Sequence, residues 1–432
     1  MPINPGRISF PRNEWPAIRR RLAATGWFYT TRVSRELGLY RKDRRYLAPW
    51  RQVLRVESIR RLRNLADHPF FDQLTTAQKR LISKFGTYEV IKLSGPDQSG
   101  DRNVKSMYDV ITIGSATRDI FIRSSALEVR DSDRSPGGVD ACFPLGAKIE
   151  IKELVLETGG GATNAAVTFG RLGWRVAAMT AIGRDANGQD VLAALKKDGV
   201  SAALVQTDFL KQTALSIIAL AGSGERTVLV YRGASENIRA GKIRWNDLKA
   251  KWFYITSLGG KIELLQKILG HAAKNGIRVA WNPGSAELRN GLEKLSVFIK
   301  QVDVFNLNLE EAMQLTGRTT RDVKKLFGDL RGLPRRAAII TDGINGAYAD
   351  DGRRTWHSRV LEVERINTTG AGDSFGSGLV AGLMKKDDLP YALAVATINA
   401  TGVVQQMGAK RGIMRRYPTA AQVKRVPISP WS

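Results

Sequence analysis

A single cysteine, Cys142, stands in a chain of 432 residues. That scarcity rules out an intramolecular disulfide framework and fits a reducing compartment. Histidine is nearly as rare. His68, His271 and His357 lie far apart, without the spacing of metal ligands, and read as surface or structural residues. No apolar run approaches the roughly eighteen residues that a bilayer span needs, so no membrane partner is expected and the chain reads as a cytoplasmic enzyme. The GxxxxGK[ST] pattern is missing too, which leaves P-loop phosphate chemistry without support. Acidic residues are few, 41 against 67 Lys and Arg, for a formal net charge of +26. The hydrophobic share, 43%, is enough for one large domain with an additional piece.

The charge is unevenly placed. Residues 1–106 hold 22 Lys and Arg against 9 Asp and Glu, so the first quarter of the chain carries half of the excess. Its basic clusters, such as Arg19, Arg20 and Arg21 or Arg41, Lys42, Arg44 and Arg45, are interleaved with Trp15, Trp27, Tyr29, Tyr40, Tyr46 and Trp50. Basic residues mixed with aromatics are one signature of nucleic-acid binding. The plainer reading is a basic, helical extension packed on the rest of the chain or on a partner, and nucleic acid is a partner only through this extension. Apolar residues at Trp50, Val53, Leu54, Ile59, Leu62 and Ala66 have roughly helical spacing. Thr75 opens a capping box before a second helix over 77–85, which Gly86 would end. Residues 95–106 are polar and turn-rich, as in a linker, and Met107 follows directly before the first strand. The first 35 residues, rich in Arg and poor in acid, also allow a mitochondrial-type presequence.

The most informative run is 367–373, NTTGAGD. Residues 359–366 alternate well enough to be a strand, and 374–384 read as an apolar helix with Ser374, Gly378 and Gly382 on one face. Gly370 and Gly372 therefore sit where a strand turns into a helix. Backbone N–H groups and the positive helix end then point at one spot, an anion nest that most often holds phosphate. Asp373 would repel that phosphate. It makes sense as the acceptor of a proton from a hydroxyl attacking the phosphorus, so the spacing suggests phosphoryl transfer to an alcohol. The bland alternative is an ordinary Gly-rich turn. A second run, 157–164 (ETGGGATN), places three glycines before a small-residue helix and allows close backbone approach to a ligand. Asn164 can both donate to and accept from a sugar hydroxyl; the plain reading here is a tight loop with a cap.

In this order, about two hundred residues apart, the two runs resemble the ribokinase/PfkB family of carbohydrate and nucleoside kinases. Four shorter runs follow in register. Residues 114–119 (GSATRD) look like the family's Gly-x-x-x-x-Asp start, and 182–188 (IGRDANG) contain its Gly-x-Asp-x-x-Gly turn. Residues 308–311 (NLEE) are similar to its Asn-x-x-Glu element, and 341–346 (TDGING) to its Thr-x-Gly-x-x-Gly turn. The resemblance covers 107–417.

It implies an ATP-dependent phosphotransferase with an alcohol acceptor, acting on a sugar hydroxyl, in particular a primary one. By resemblance Asp373 is the general base, and the N–H groups around Gly370, Ala371 and Gly372 form the anion hole. Asp119 would bind two substrate hydroxyls, with Gly159, Gly160, Gly161 and Asn164 beside it. Asn308 and Glu311 would hold Mg²⁺ through water, and Thr341, Gly343 and Gly346 would line the nucleotide, with Asn399 near its base. Two departures matter. Asn367 stands where the family has an Asp that helps bind a monovalent cation, which puts such a cation in doubt. Gly161 stands where ribokinase has Lys, which weakens the case for ribose. Sugar-phosphate acceptors would call on Arg118, Arg123 or Arg184. The alternatives are a nucleoside kinase of adenosine type and a non-catalytic sugar- or nucleic-acid-binding regulator with the same fold.

Strands at 109–113, 176–181, 252–255, 278–281, 302–306 and 337–341 alternate with helices at 188–198, 261–275 and 309–316. This is the pattern of an α/β, doubly wound, mostly parallel sheet flanked by helices. Strand-like runs at 148–158, and at 213–220 joined to 226–232 through 222–224, break it. By resemblance these runs, within about 119–158 and 213–232, form a small β-sheet lid that closes over the sugar, excludes water and supports a homodimer. The expected division is 1–106 for the extension and linker, 107–417 for the ribokinase-like domain and 418–432 for a tail.

Overall fold

The computed structural model describes residues 107–431 apart from 125, 134–137 and 221–225, together with the backbone of 27–29, 54–62 and 88–96. The chain divides into two compact units, Met1–Asn103 and Val104–Ser432. In the first, Trp27–Tyr29 and Leu54–Leu62 flank Tyr88–Pro96 in an antiparallel three-stranded sheet. This corrects the helix expected over 50–66, because 54–62 are strand. Leu54, Val56 and Leu62 are in phase with a period of two although Ile59 is not, and cross-strand pairing, not local spacing, selects the strand. The helix expected at 77–85 lies outside the described residues, as does the linker from 97 onward.

The second unit is built on fourteen strands that matter for the site. They are β1 (Tyr108–Ile113), β2 (Thr117–Arg123), β3 (Glu153–Gly159), β4 (Val176–Met179), β5 (Val200–Ser201), β6 (Ala214–Leu220), β7 (Arg226–Tyr231), β8 (Ala250–Ile255), β9 (Arg278–Trp281), β10 (Val304–Asn308), β11 (Ala337–Thr341), β12 (Ala347–Asp350), β13 (Thr355–Ser358) and β14 (Ile428–Pro430). Ten of them form one sheet in the order β5-β4-β1-β8-β9-β10-β11-β12-β13-β14. Pairings from β5 to β11 are parallel, and those from β11 to β14 antiparallel.

Parallel strands covered on both faces read as continuous apolar runs, and β8 shows why. Trp252 and Tyr254 enter one core with Leu379 and Ala396, while Phe253 and Ile255 enter the other with Leu265 and Ile268. The covering helices are α1 (Gly161–Arg171), α2 (Ala186–Lys197), α3 (Ile262–Lys274), α4 (Leu309–Thr316), α5 (Ala371–Lys385) and α6 (Leu389–Val404), besides shorter ones. On α5 the small face is needed for packing. A Cβ at Gly378 would lie 3.0 Å from Ala396 Cα, and one at Gly382 2.6 Å from Ala392 Cα, both on α6.

Two expectations are corrected here. Residues 359–366 join no sheet; half-buried Leu361 and Val363 alternate with exposed neighbours, which reflects chain lying along a surface. The 418–432 tail is integral: it carries a helix, Ala420–Lys424, and then β14, which pairs with β13.

The lid is a four-stranded sheet in the order β7-β6-β2-β3. β6 runs parallel to β2, and the outer pairings are antiparallel. Phe121 and Ile218 are buried in it, whereas Leu154 and Leu156 of β3 and Val228 and Val230 of β7 are exposed. The turn expected at 222–224 lies outside the described residues.

Candidate active site

Parallel strands end together, and their carboxyl edge is where α/β sheets bind ligands. Asn308 and Thr341 are register partners at the ends of β10 and β11. Gly114 ends β1, and the chain turns there into β2, which carries Asp119. The 157–164 glycines serve this corner directly. A Cβ at Gly159 would lie 1.9 Å from Asp119 Oδ2, and one at Gly160 (φ 96°) 2.6 Å from Ser115 O. Gly161 sits against Thr256, where a Cβ would come within 2.9 Å. Close approach to the chain's own atoms, at Asp119, Ser115 and Thr256 in turn, thus requires a glycine at each of the three positions.

Asp119 is buried, and Thr117 Oγ1 donates to its Oδ1 at 2.8 Å. Burial pushes its carboxyl up, against the hydroxyls of Thr117 and Ser216 and the charge of Lys410. Asn164 lies in the first turn of α1, and its Nδ2 donates to Asp373 Oδ2 at 2.8 Å. Its Oδ1 is buried without a protein partner. Asp373 itself is in the first turn of α5. Burial raises its carboxyl, and the nearby charge of Asp119 adds to this, while the Asn164 amide and Lys410 oppose it.

Gly370 is the N-cap of α5, with φ 82°. Ser374 N–H donates to Gly370 O at 2.9 Å, and Ala371 N–H to Thr368 O at 3.2 Å. Gly372 and Asp373 follow in a first turn, whose N–H groups have no partner inside a helix. No atom lies within 4 Å of a Cβ built on Gly372, so the turn faces open space. The NTTGAGD run thus leads into a helix N-terminus, with Asp373 in its first turn.

Asn308 and Glu311 form the capping box of α4. Glu311 N–H donates to Asn308 Oδ1 at 2.7 Å, and Asn308 N–H to Glu311 Oε2 at 2.9 Å. Burial pushes Glu311 up to about 7, with further contributions from the charges of Asp373 and Glu310 and against the Asn308 N–H. Among the described residues no cluster of three or more acids, histidines or cysteines could cage a metal. A single carboxylate beside a carboxamide suits a Mg²⁺ ion that keeps its waters and shares phosphates. Thr341 ends β11, and Gly343 and Gly346 lie in the turn that follows it. Gly346 (φ 95°) is required by the chain itself, since a Cβ there would meet Ser358 O at 2.1 Å.

Several residues fall elsewhere. Asn399 is fully buried, donating to Ser374 O at 2.8 Å and to Thr168 Oγ1 at 3.2 Å and accepting from Met414 N–H at 3.0 Å. Its amide thus ties α6 to the first turn of α5 and to α1. The 182–188 turn is structural as well: Asp185 Oδ1 accepts from Gly188 N–H at 2.8 Å, and its Oδ2 from Thr213 N–H at 2.7 Å, which anchors β6 to α2. Arg118 pairs with Asp190 at 3.1 Å and Arg123 with Glu153 at 3.6 Å, and Arg184 lies over the Phe209 ring. Asn367 is buried; its Oδ1 accepts from Thr369 N–H at 3.1 Å, and its Nδ2 has no protein partner.

One group escapes the motifs. Lys410 is buried, and its Nζ donates to Thr163 Oγ1 at 2.8 Å and to Thr158 Oγ1 at 2.9 Å. A lysine in an isolated GAKRG stretch, 408–412, has no local mark of a site residue; the glycines bracketing it are its only signal.

Residues 109–415 match the model of the pfkB family of carbohydrate kinases. The chain is 29% identical over 276 residues to a ribokinase of Haemophilus influenzae, covering 60% of this chain and 85% of that protein. In fold it is similar to an Arabidopsis thaliana ribokinase complexed with ribose and ATP, at TM-score 0.57 and 18% identity, over 74% of this chain and 98% of the other. It is also similar to an adenosine kinase from Sinorhizobium meliloti, at TM-score 0.59 and 21% identity, over 74% of this chain and 98% of the other.

Proposed function

Since the chain belongs to the pfkB family of carbohydrate kinases, phosphotransferases with an alcohol acceptor, we propose that it transfers the γ-phosphoryl group of ATP to a hydroxyl of a sugar with Asp373 as general base. The observation that carries this reading is the 2.8 Å hydrogen bond from Asn164 to Asp373, which joins the two Gly-rich runs across 209 residues of sequence. Asp119 and Asn164 orient the acceptor, whose hydroxyls find the Asp119 carboxylate and the unpartnered Asn164 Oδ1. The attacking oxygen gives its proton to Asp373 as the new O–P bond forms and the bond to ADP breaks. Gly372 and Asp373 N–H groups, at the positive end of α5, stabilise charge on the phosphoryl oxygens. Asn308 and Glu311 would hold a hydrated Mg²⁺, which neutralises phosphate charge when bound. Thr341, Gly343 and Gly346 line the nucleotide.

The test is ADP release from Mg·ATP over a panel of sugars and nucleosides. A sugar is expected to give turnover, and Asp373→Asn is expected to lower kcat by about 10²–10⁴-fold. Turnover of nucleosides alone would move the acceptor class. No turnover of any acceptor would sink the reading.

A further inference from the structure

Lys410 is a buried cation that the phosphoryl-transfer scheme does not use. Its ammonium is held by two hydroxyls, Thr158 Oγ1 and Thr163 Oγ1, and not by a carboxylate. Those threonines bracket the acceptor corner: Thr158 precedes Gly159, whose missing Cβ admits Asp119, and Thr163 precedes Asn164. Thr163 Oγ1 in turn donates to Gly159 O at 2.6 Å. On the other side, Ala409 packs on the anion turn, where a Cβ on Gly370 would come within 2.6 Å of Ala409 Cβ. The main chain is pinned as well, because Arg171 Nη1 donates to Lys410 O at 2.6 Å.

The charges around it come from every packed element. Asp119 of β2, Glu157 of β3, Asp198 after α2 and Asp373 of α5 all attract the ammonium. Two of these acids are already engaged by other cations, Asp198 by Arg171 at 2.7 Å and Glu157 by Arg411 at 2.5 Å. Asp119 and Asp373 have no such partner among the described residues. A buried charge is costly unless compensated, and here the two hydroxyls and all four acids supply the compensation, Asp119 foremost among the acids.

We propose that Lys410 is a positioning residue of the phosphoryl-transfer site, whose ammonium fixes the Thr158 and Thr163 corner and keeps Asp119 and Asp373 ionised. A general base must be deprotonated to act, and burial alone drives both carboxyls the wrong way. Burial also pushes the Lys410 ammonium down to about 8, the neighbouring acids opposing. This inference rests on Asp373 being the base.

The experiment compares pH profiles of kcat/KM for the wild type, Lys410→Gln and Lys410→Arg. Gln retains two N–H donors, on a side chain one bond shorter, but removes the charge. Its acid limb is expected at higher pH than in the wild type, with a loss of about tenfold or more at pH 7. The wild type should decline above about pH 8 as the ammonium loses its proton, and Gln should not. Arg stays charged at all working pH values, so it should keep the wild-type acid limb and lose the alkaline decline. A merely structural role would leave the Gln acid limb at its wild-type position, and that result overturns the proposal.

A second readout needs no acceptor. Lys410 binds fewer protons folded than unfolded from about pH 8 upward, so wild-type stability should gain with pH there. Melting temperatures from pH 7 to 10 should therefore rise relative to Lys410→Gln, or to Lys410→Met where Gln does not fold. A constant difference would also overturn the proposal. If the wild type turns over no acceptor, the functional reading fails on its own, and the melting series still decides whether Lys410 is a buried, titrating charge.

Discussion

Asn164 gives Asp373 one amide donor at 2.8 Å, which opposes the effect of burial on its carboxyl. That makes it the sharpest single-residue test of the acceptor corner. In Asn164→Asp two carboxylates would face each other at hydrogen-bond distance, and they cannot both ionise near neutral pH. The expected result is a loss of about 10²-fold in kcat/KM at pH 7. Activity should recover partly as pH rises and both acids lose their protons. Asn164→Ala, which removes the donor without adding charge, should lose less. Equal pH profiles for the Asp and Ala variants would mean that Asn164 does not act through Asp373. Asn164, Asp119 and Asp373 could be read from sequence because each sits within a few residues of its glycines. Lys410 could not, since its two hydroxyl partners are 247 and 252 residues away. Asn399 shows the converse: its amide is taken up by Ser374 O, Thr168 and Met414. An amide that feeds a buried helix carbonyl and one that faces a ligand look alike in sequence.

At the scale of elements, the glycine at the start of α5 is doubly constrained. Gly370 has φ 82°, and Ala409 would sit 2.6 Å from its Cβ. Gly370→Ala must therefore either strain the backbone or push the 408–412 segment away from the turn. A cost of about 1–3 kcal/mol is expected, seen as a lower melting temperature. The displaced first-turn N–H groups should lower kcat by roughly 10–10³-fold. A variant with wild-type kcat would remove α5's N-terminus from the chemistry. The central elements were legible because their signals are local: β9 and β11 end where their apolar runs end, and α4 starts at its capping box. Elements defined by partners were not. Residues 359–366 alternate yet find no ladder, and 54–62 form a strand because Tyr88–Pro96 pairs with them. Period-two spacing announces extended backbone, whereas a sheet also needs a neighbour.

At the scale of the whole molecule, the two ends of the chain contribute unequally to the catalytic unit. Every candidate site residue, both large cores and the family match at 109–415 lie beyond Met107. A chain beginning at Met107 is expected to keep its melting temperature and its ADP release. The opposite cut should fail. Removing 418–432 deletes β14 and exposes the edge of β13, uncovers the site of the buried Val426, and takes Trp431 off the Tyr348 ring, 4.7 Å away. That loss should cost on the order of 2–4 kcal/mol. The sequence marks 418–432 only as a tail because three residues of strand carry no periodicity, and only the sheet gives them a place. The same pair of truncations tests the basic extension. Residues 1–106 hold half of the net charge, so nucleic-acid binding by the full chain should weaken steeply with salt and vanish in the chain from Met107. Binding that survives the Met107 cut would place the cationic surface on the catalytic unit. Loss of ADP release on that cut would make the extension part of the enzyme.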